Sequence, residues 1–153
     1  MKNSVLARVV ATPKRLATLG LLAAGVLAVA LLAQAGQMVP FKAKCFGHWT
    51  QLSPLFVATA TGEATHIGQF TATIKEYESW RAKLVITAAN GDKLFGDVDM
   101  GSPTSTVNIT GGTGRFDGAS GSWESTWTSV DWEACTWTET AIGEISTVGS
   151  NKK

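Results

Sequence analysis

One segment of this chain carries more structural information than any other: Ile109-Thr110-Gly111-Gly112-Thr113-Gly114-Arg115-Phe116-Asp117-Gly118-Ala119-Ser120-Gly121. Four of its glycines fall within eight positions, and both flanks have the composition of β-strands. A helix would not tolerate this density of glycine, whereas a tight or bulged connection between strands uses it. A nucleotide-binding loop is excluded, because the third glycine of that motif is missing and no helical pattern follows. The segment therefore predicts a β-protein.

The segment has a structural explanation that needs no ligand. We expect Gly111 and Gly112 to adopt positive φ where a strand ends, and Gly118 to turn the chain into the next strand. We expect Phe116 to fill one end of the fold, and Arg115 to pair with a carboxylate or to cover an aromatic ring. The residues to which this structural role is assigned are Gly111, Gly112, Gly114, Phe116 and Gly118.

Eight short segments have the β-branched and aromatic composition of strands. Asn90-Gly91 is the strongest hairpin signal in the chain, because both residues accept the positive φ of a tight turn. Gly62 is expected at a turn or bulge between the second and third strands. The predicted strands are 42–50, 56–63, 65–76, 80–89, 93–100, 104–110, 121–130 and 135–146. Regularly spaced strands without helices predict one all-β domain, a barrel or a sandwich.

Residues 1–35 have the features of a signal peptide. A basic start without acidic residues precedes the apolar run 16–32, and Ala33-Gln34-Ala35 supplies the small-x-small pattern of a cleavage site. An uncleaved anchor is the alternative, because the run is nearly long enough to span a bilayer. We expect cleavage, a secreted or periplasmic domain over 36–150, a disordered tail at 151–153, and membrane contact only before cleavage.

Removal of this leader changes the charge balance. All 12 acidic residues follow it, together with nine basic residues, which are the 13 of the chain less the four of the leader. The net charge then becomes about −3, and Lys152-Lys153 is the one remaining basic cluster. Such a surface offers little to a phosphate backbone, so nucleic acid is excluded as a partner.

The glycine segment resembles the Gly-Gly-Thr-Gly-x-Phe signature of small β-barrels in the allene oxide cyclase and dirigent group. A second stretch, 62–71, is similar to the Gly-x-Ala-Thr-His-x-Gly-x-Phe-Thr element of short secreted bacterial members, whose activity is generally unassigned. The resemblance implies a single antiparallel β-barrel of about eight strands. It also draws attention to carboxylates inside the barrel, because the cyclases hold one in their cavity.

Cys45 and Cys135 are the only cysteines of the chain. In an exported protein two cysteines predict a disulfide. This one would close a loop of 90 residues, for which the chain-entropy model gives about 4–5 kcal/mol of stabilisation. Two buried thiols on unconnected strands are the alternative. A nucleophilic Cys45 is the least favoured interpretation, although His48 lies close to it in sequence.

His66 and Glu139 are the candidate catalytic residues. Strand alternation places His66 on one face with Phe70, a face that should point into the barrel. An imidazole there could bind a ligand or move a proton, and a structural hydrogen bond to a backbone carbonyl is the alternative. Glu139 alternates with Trp137. If that face is interior, Glu139 is a buried carboxylate with a raised pKa, and otherwise it is a surface residue.

The chain is rich in tryptophan. The side chains either fill the core and the barrel ends or form an aromatic pocket for an apolar or sugar-like ligand. Trp132 is expected in an exposed turn, where it could make a surface contact. The tryptophans are Trp49, Trp80, Trp123, Trp127, Trp132 and Trp137. The candidate ligand-lining residues are Trp127, Trp137 and His66.

Three functions remain open from the sequence. The leading hypothesis is a non-enzymatic protein that binds a small apolar molecule in the barrel or at its mouth. The second is an allene oxide cyclase or dirigent-type catalyst that guides the cyclisation or coupling of a reactive substrate, with His66 or Glu139 transferring a proton. The third is a structural or interaction module of the cell envelope with a filled barrel. No cofactor is expected, and two histidines with oxidised cysteines would argue against a metal.

Overall fold

The computed structural model describes residues 37–146, which form eight strands and one short 3₁₀ helix, Gly114–Phe116. All neighbouring strands are antiparallel, and they close into one barrel in sequence order. The strands are β1 (Met38–Gln51), β2 (Val57–Ala64), β3 (Gly68–Glu78), β4 (Arg81–Ala88), β5 (Lys93–Asp99), β6 (Thr104–Gly112), β7 (Gly121–Asp131) and β8 (Thr136–Ser146). The predicted all-β, eight-stranded antiparallel barrel is confirmed. The predicted signal peptide and tail lie outside the described residues.

Strand alternation separates an apolar interior from a polar outer face. In β4, Ala82, Leu84 and Ile86 are buried, whereas Arg81 and Lys83 are exposed. Successive side chains of a strand point to opposite faces, so a period-two sequence buries one row and leaves the other in water. Within residues 37–146 no helix is long and apolar enough to cross a bilayer.

The glycine segment closes one end of the barrel. Phe116 is 5% exposed and belongs to the buried core. Arg115 lies over its ring, with 4.7 Å between the guanidinium carbon and the ring centroid, and donates to the Ile67 carbonyl over 2.7 Å. The Arg115 side chain also lies 3.9 Å from the Asp92 carboxylate. We call this end, formed by the loops 65–67, 89–92 and 113–120, the closed end.

Gly111 and Gly112 are needed for different reasons, the first for its backbone conformation and the second for close packing. Gly111 has a φ of +140°, where the β5–β6 ladder shifts register between Phe95 and Gly96. The expectation of positive φ at Gly112 was wrong. A Cβ at Gly112 would overlap the Lys93 carbonyl and Phe116, so this position needs a glycine for close approach.

The β2–β3 connection differs from the sequence prediction. Gly62 lies within β2, opposite Phe70, and the chain turns later, at 65–67. His66 lies in this turn with a φ of +65° and is exposed. The prediction that its side chain faces the barrel interior was therefore wrong, because strand alternation does not extend backwards through a turn.

The predicted disulfide is absent, and Cys45 and Cys135 are both free thiols. Cys45 lies opposite Glu139 in the β1–β8 ladder, whereas the Trp49 N–H donates to the carbonyl of Cys135. The two cysteines are therefore offset by four residues, or about 13 Å along the strand. A disulfide requires Cα atoms within about 7 Å. The register of β1 and β8 thus keeps the two thiols apart.

Candidate functional site

The barrel encloses a cavity of about 580 Å³ that opens at the end opposite the glycine segment. We call this end, formed by the loops 52–56, 79–80, 100–103 and 132–135, the open end. Its rim is apolar and accessible, since Trp80 is 66% and Trp132 64% exposed, and both line the cavity. Alanines on the inner faces of β1, β2 and β3 leave the space that larger side chains would fill.

All six tryptophans of the chain line this cavity. Trp132, Trp49 and Trp137 form a continuous stack from the rim inwards, which we call the tryptophan stack. Its ring centroids are separated by 4.9 Å at both steps, with interplanar angles of 5° and 29°. Trp127 meets Trp49 edge-on at 6.3 Å. These offset-stacked and edge-to-face arrangements are the favourable ones for aromatic pairs.

The inner end of the tryptophan stack depends on a glycine. Trp137 is 5% exposed and lies against Gly47 on the neighbouring strand β1. A Cβ at Gly47 would overlap three carbon atoms of the indole ring. Because Gly47 has no side chain, the Trp137 indole can pack directly against the backbone of β1.

The structure brings together two of the three sequence-predicted ligand-lining residues. Trp127 and Trp137 both line the cavity, and Trp127 lies opposite Glu139 in the β7–β8 ladder. His66 lies in the turn between β2 and β3 at the closed end and does not belong to the lining.

Glu139 is a carboxyl in the lining of the cavity. Burial raises the pKa of its carboxyl, and nearby Cys45, Trp137 and Ser125 act in the opposite direction. Cys45 Sγ donates to Glu139 Oε1 over 3.3 Å. Burial and the adjacent carboxyl raise the pKa of the Cys45 thiol well above its usual range. At neutral pH the thiol is therefore a hydrogen-bond donor and not a thiolate.

The indole N–H of Trp137 is poorly satisfied. It lies near enough to the Glu139 carboxyl to lower the pKa of that group. Nevertheless, within the described part of the chain its nitrogen is buried without a hydrogen bond of normal geometry. This donor therefore has capacity left for a carboxylate oxygen that moves closer or for a ligand.

Glu76 is the second carboxylate of the lining, and it holds the open end together. One oxygen accepts from the Phe56 N–H over 2.8 Å, and the other accepts from the Trp80 N–H over 3.1 Å. The carboxylate thus links two of the four loops of the open end. Both oxygens of Glu76 are therefore engaged by backbone N–H groups of the open end.

Several residues of the site were not predicted as such from the sequence. The sequence predicts Cys45 as a disulfide partner, with a buried thiol or a nucleophile as alternatives, and it predicts no role in a site for Ser125 or Glu76. A signal was present for Cys45, because strand alternation places it on the same face as Phe41 and Trp49. Both of these residues are buried.

No protein-family model and no curated protein sequence matches this chain. Solved structures do match. The pterocarpan synthase dirigent protein GePTS1 aligns with a TM-score of 0.53 at 14% identity, covering 78% of this chain and 90% of that one. The pterocarpan synthase dirigent protein PsPTS1 aligns with a TM-score of 0.51 at 12% identity, covering 75% and 98%. At this identity the likeness shows the fold, a dirigent-like eight-stranded barrel.

Proposed function

We propose that this protein binds a small, largely apolar molecule in the barrel cavity. One observation carries the proposal: an accessible cavity of about 580 Å³ lined by all six tryptophans, with few polar side chains. Ligand sites are typically concave, apolar and of about 300–1,000 Å³, with a few polar groups that fix orientation. An eight-stranded barrel is about wide enough for one small ligand.

The filled barrel of a purely structural module fits the interior less well. Large side chains close only one end, where Phe116 lies, and the opposite half contains space bounded by small residues such as Ala60 and Ala72. Trp80 and Trp132 leave most of their apolar surface exposed at the rim, and exposed apolar surface grouped around an opening is typical of a binding site. A ligand that enters between Trp80 and Trp132 would bury part of both.

The test of binding uses the uncharged fluorescent probe N-phenyl-1-naphthylamine. We expect enhanced probe emission with wild-type protein and a loss of at least about tenfold in affinity in Trp127→Ala, which removes one wall of the cavity. Tyr77→Ala is the matched control, because Tyr77 is an exposed ring over which Arg81 and Lys83 lie outside the barrel. Circular dichroism shows whether each variant is folded. Equal probe binding by the folded Trp127 and Tyr77 variants would refute a cavity site.

A dirigent-type guide for cyclisation or coupling is the second candidate. It is favoured by the dirigent-like fold together with a half-buried carboxyl in the cavity, because Glu139 is placed to exchange a proton with a bound substrate. Its test is product chirality. A coupling or cyclisation that is racemic in solution should give enantiomeric excess with wild-type protein and not with Glu139→Gln, whose probe affinity should stay unchanged. A racemic product with wild-type protein would remove this candidate for that reaction.

We also propose that the protein is exported and akin to the short secreted bacterial barrels of the allene oxide cyclase and dirigent group. The support is the composition of residues 1–35 and the resemblance of 62–71 and 109–121. The mass of the protein recovered after export should correspond to cleavage after Ala35. A full-length mass in the membrane fraction would indicate an anchor instead.

A further inference from the structure

We propose that the ligand of this cavity carries a positive charge, as an amine or quaternary ammonium group on an apolar frame, and that Glu139 is its counter-ion. The inference rests on the proposed binding function and names the class of molecule bound. It follows from the charges that line the cavity, from the groups around Glu139 and from the aromatic walls.

The cavity contains acidic groups without basic ones. Among the residues that the structure describes, its lining includes Glu76 and Glu139 but no lysine, arginine or histidine. Glu76 is occupied by two backbone N–H groups of the open end. A carboxylate or phosphate ligand would have no basic side chain in the lining to pair with. It would also lose its hydration next to Glu139, which costs free energy. A cationic ligand would instead find one carboxyl that no basic side chain of the lining occupies.

The groups around Glu139 favour its charged form once a cation is present. Its three polar neighbours, the Cys45 thiol, the Trp137 indole and the Ser125 hydroxyl, are all able to donate hydrogen bonds, and each lowers the pKa of the carboxyl. The Trp137 N–H has donor capacity left. Burial is the one effect that opposes ionisation of Glu139. A bound ammonium group would place a positive charge beside the carboxylate and offset this cost. The site is thus set up to hold a carboxylate whose counter-ion arrives with the ligand.

The cavity walls add a second attraction for cations. Indole faces attract ammonium groups more strongly than the other aromatic side chains, and the effect grows where water is excluded. Trp127 lies opposite Glu139 on the neighbouring strand, so an aromatic ring and the carboxyl border the same space.

The net charge at the open end is negative, as it is inside the cavity. The four loops there carry one charged residue, Glu133, and the adjoining strand ends carry Glu78, Asp99, Asp131 and Arg81. Arg81 is engaged by two of these acids, with Glu78 at 3.8 Å and Asp99 at 3.4 Å. The net negative charge around the entrance raises the local concentration of cations.

The test compares three molecules with one biphenyl frame: biphenyl-4-methylamine, biphenyl-4-methanol and biphenyl-4-acetate. Calorimetry at neutral pH should show the ammonium binding at least about tenfold more tightly than the alcohol, with the carboxylate weakest. In Glu139→Gln, which keeps the shape and one acceptor oxygen but removes the negative charge, the ammonium should lose this advantage and the alcohol should bind as before. Glu144→Gln is the control, because it removes the same charge from the exposed face of the same strand.

Each result bears on a distinct claim. If the alcohol binds as tightly as the ammonium, or if Glu139→Gln leaves the preference intact, the cationic-ligand inference is overturned while the binding function stands. If none of the three molecules binds, the cavity is not a site for apolar molecules of this size, and both proposals fail.

Discussion

Cys45 and Glu139 face each other across the β1–β8 ladder inside the barrel, with Cys45 Sγ 3.3 Å from Glu139 Oε1. This pair joins the first and last strands by a hydrogen bond. The Cys45 thiol donates to the carboxyl and so lowers the pKa of Glu139, whereas the carboxyl raises the pKa of Cys45, because two negative charges at this distance would repel strongly. The pair therefore carries at most one negative charge over the ordinary pH range.

The two free thiols should differ in reactivity. Cys45 faces the interior and its thiol pKa is raised, whereas Cys135 lies in the turn before β8. Since the thiolate is the nucleophile, we expect iodoacetamide to modify Cys135 at least about tenfold faster than Cys45 in the folded protein. Intact and peptide mass spectrometry would follow both sites, with Cys45→Ser and Cys135→Ser as controls. A protein mass lower by two hydrogens before labelling would instead indicate a disulfide.

Glu139 should make stability depend on pH in a defined direction. Its pKa is raised in the folded state, mainly by burial, so folding favours the protonated form. The contribution of this group is therefore fully present below its unfolded-state pKa, near 4.5, and is lost as the pH rises through the folded-state pKa. Glu139→Gln should match wild type at about pH 4 and be more stable at about pH 8. Each unit of pKa elevation corresponds to about 1.4 kcal/mol.

Urea unfolding of both proteins across this pH range would measure the difference. Glu144→Gln on the exposed face of β8 should show no gain that grows with pH. If Glu139→Gln raised the free energy of unfolding equally at pH 4 and pH 8, the charge of Glu139 would not be the cause of the increase.

Gly47 should be intolerant of any side chain. A Cβ there would overlap the Trp137 ring, so Gly47→Ala should destabilise the barrel by about 1–3 kcal/mol through overpacking. Trp137→Phe removes part of the ring that lies against Gly47. The double variant should therefore be more stable than the sum of the two single effects predicts, as measured by a double-mutant cycle. Strict additivity would show that the indole is not what excludes a side chain at position 47.

Much of the fold could be predicted from local signals. The errors arose where a prediction extended beyond a single strand. Asn90-Gly91 marked the β4–β5 hairpin, because the tight turn needs a residue with positive φ and Gly91 adopts a φ of +87° there. Alternation within one strand placed Trp137 and Glu139 on a common face but did not decide which face that is, and the structure shows that both residues line the interior. His66 was misplaced because alternation was extended across a turn. The disulfide was wrong because register between distant strands, which separates Cys45 from Cys135, leaves no trace in the spacing of residues along the chain.

The two ends of the barrel should separate stability from binding. Phe116 is buried at the closed end and does not line the cavity, so Phe116→Ala should cost about 3–5 kcal/mol of stability. The folded variant should keep its affinity for N-phenyl-1-naphthylamine. Trp80→Ala at the open end should leave stability almost unchanged and weaken probe binding. The Trp80 side chain is exposed, so it contributes little to stability, but it borders the entrance of the cavity. Thermal unfolding and probe titration of both variants would measure the two effects. Loss of probe binding by folded Phe116→Ala would assign the glycine segment to the ligand site and contradict the division between a closed and an open end.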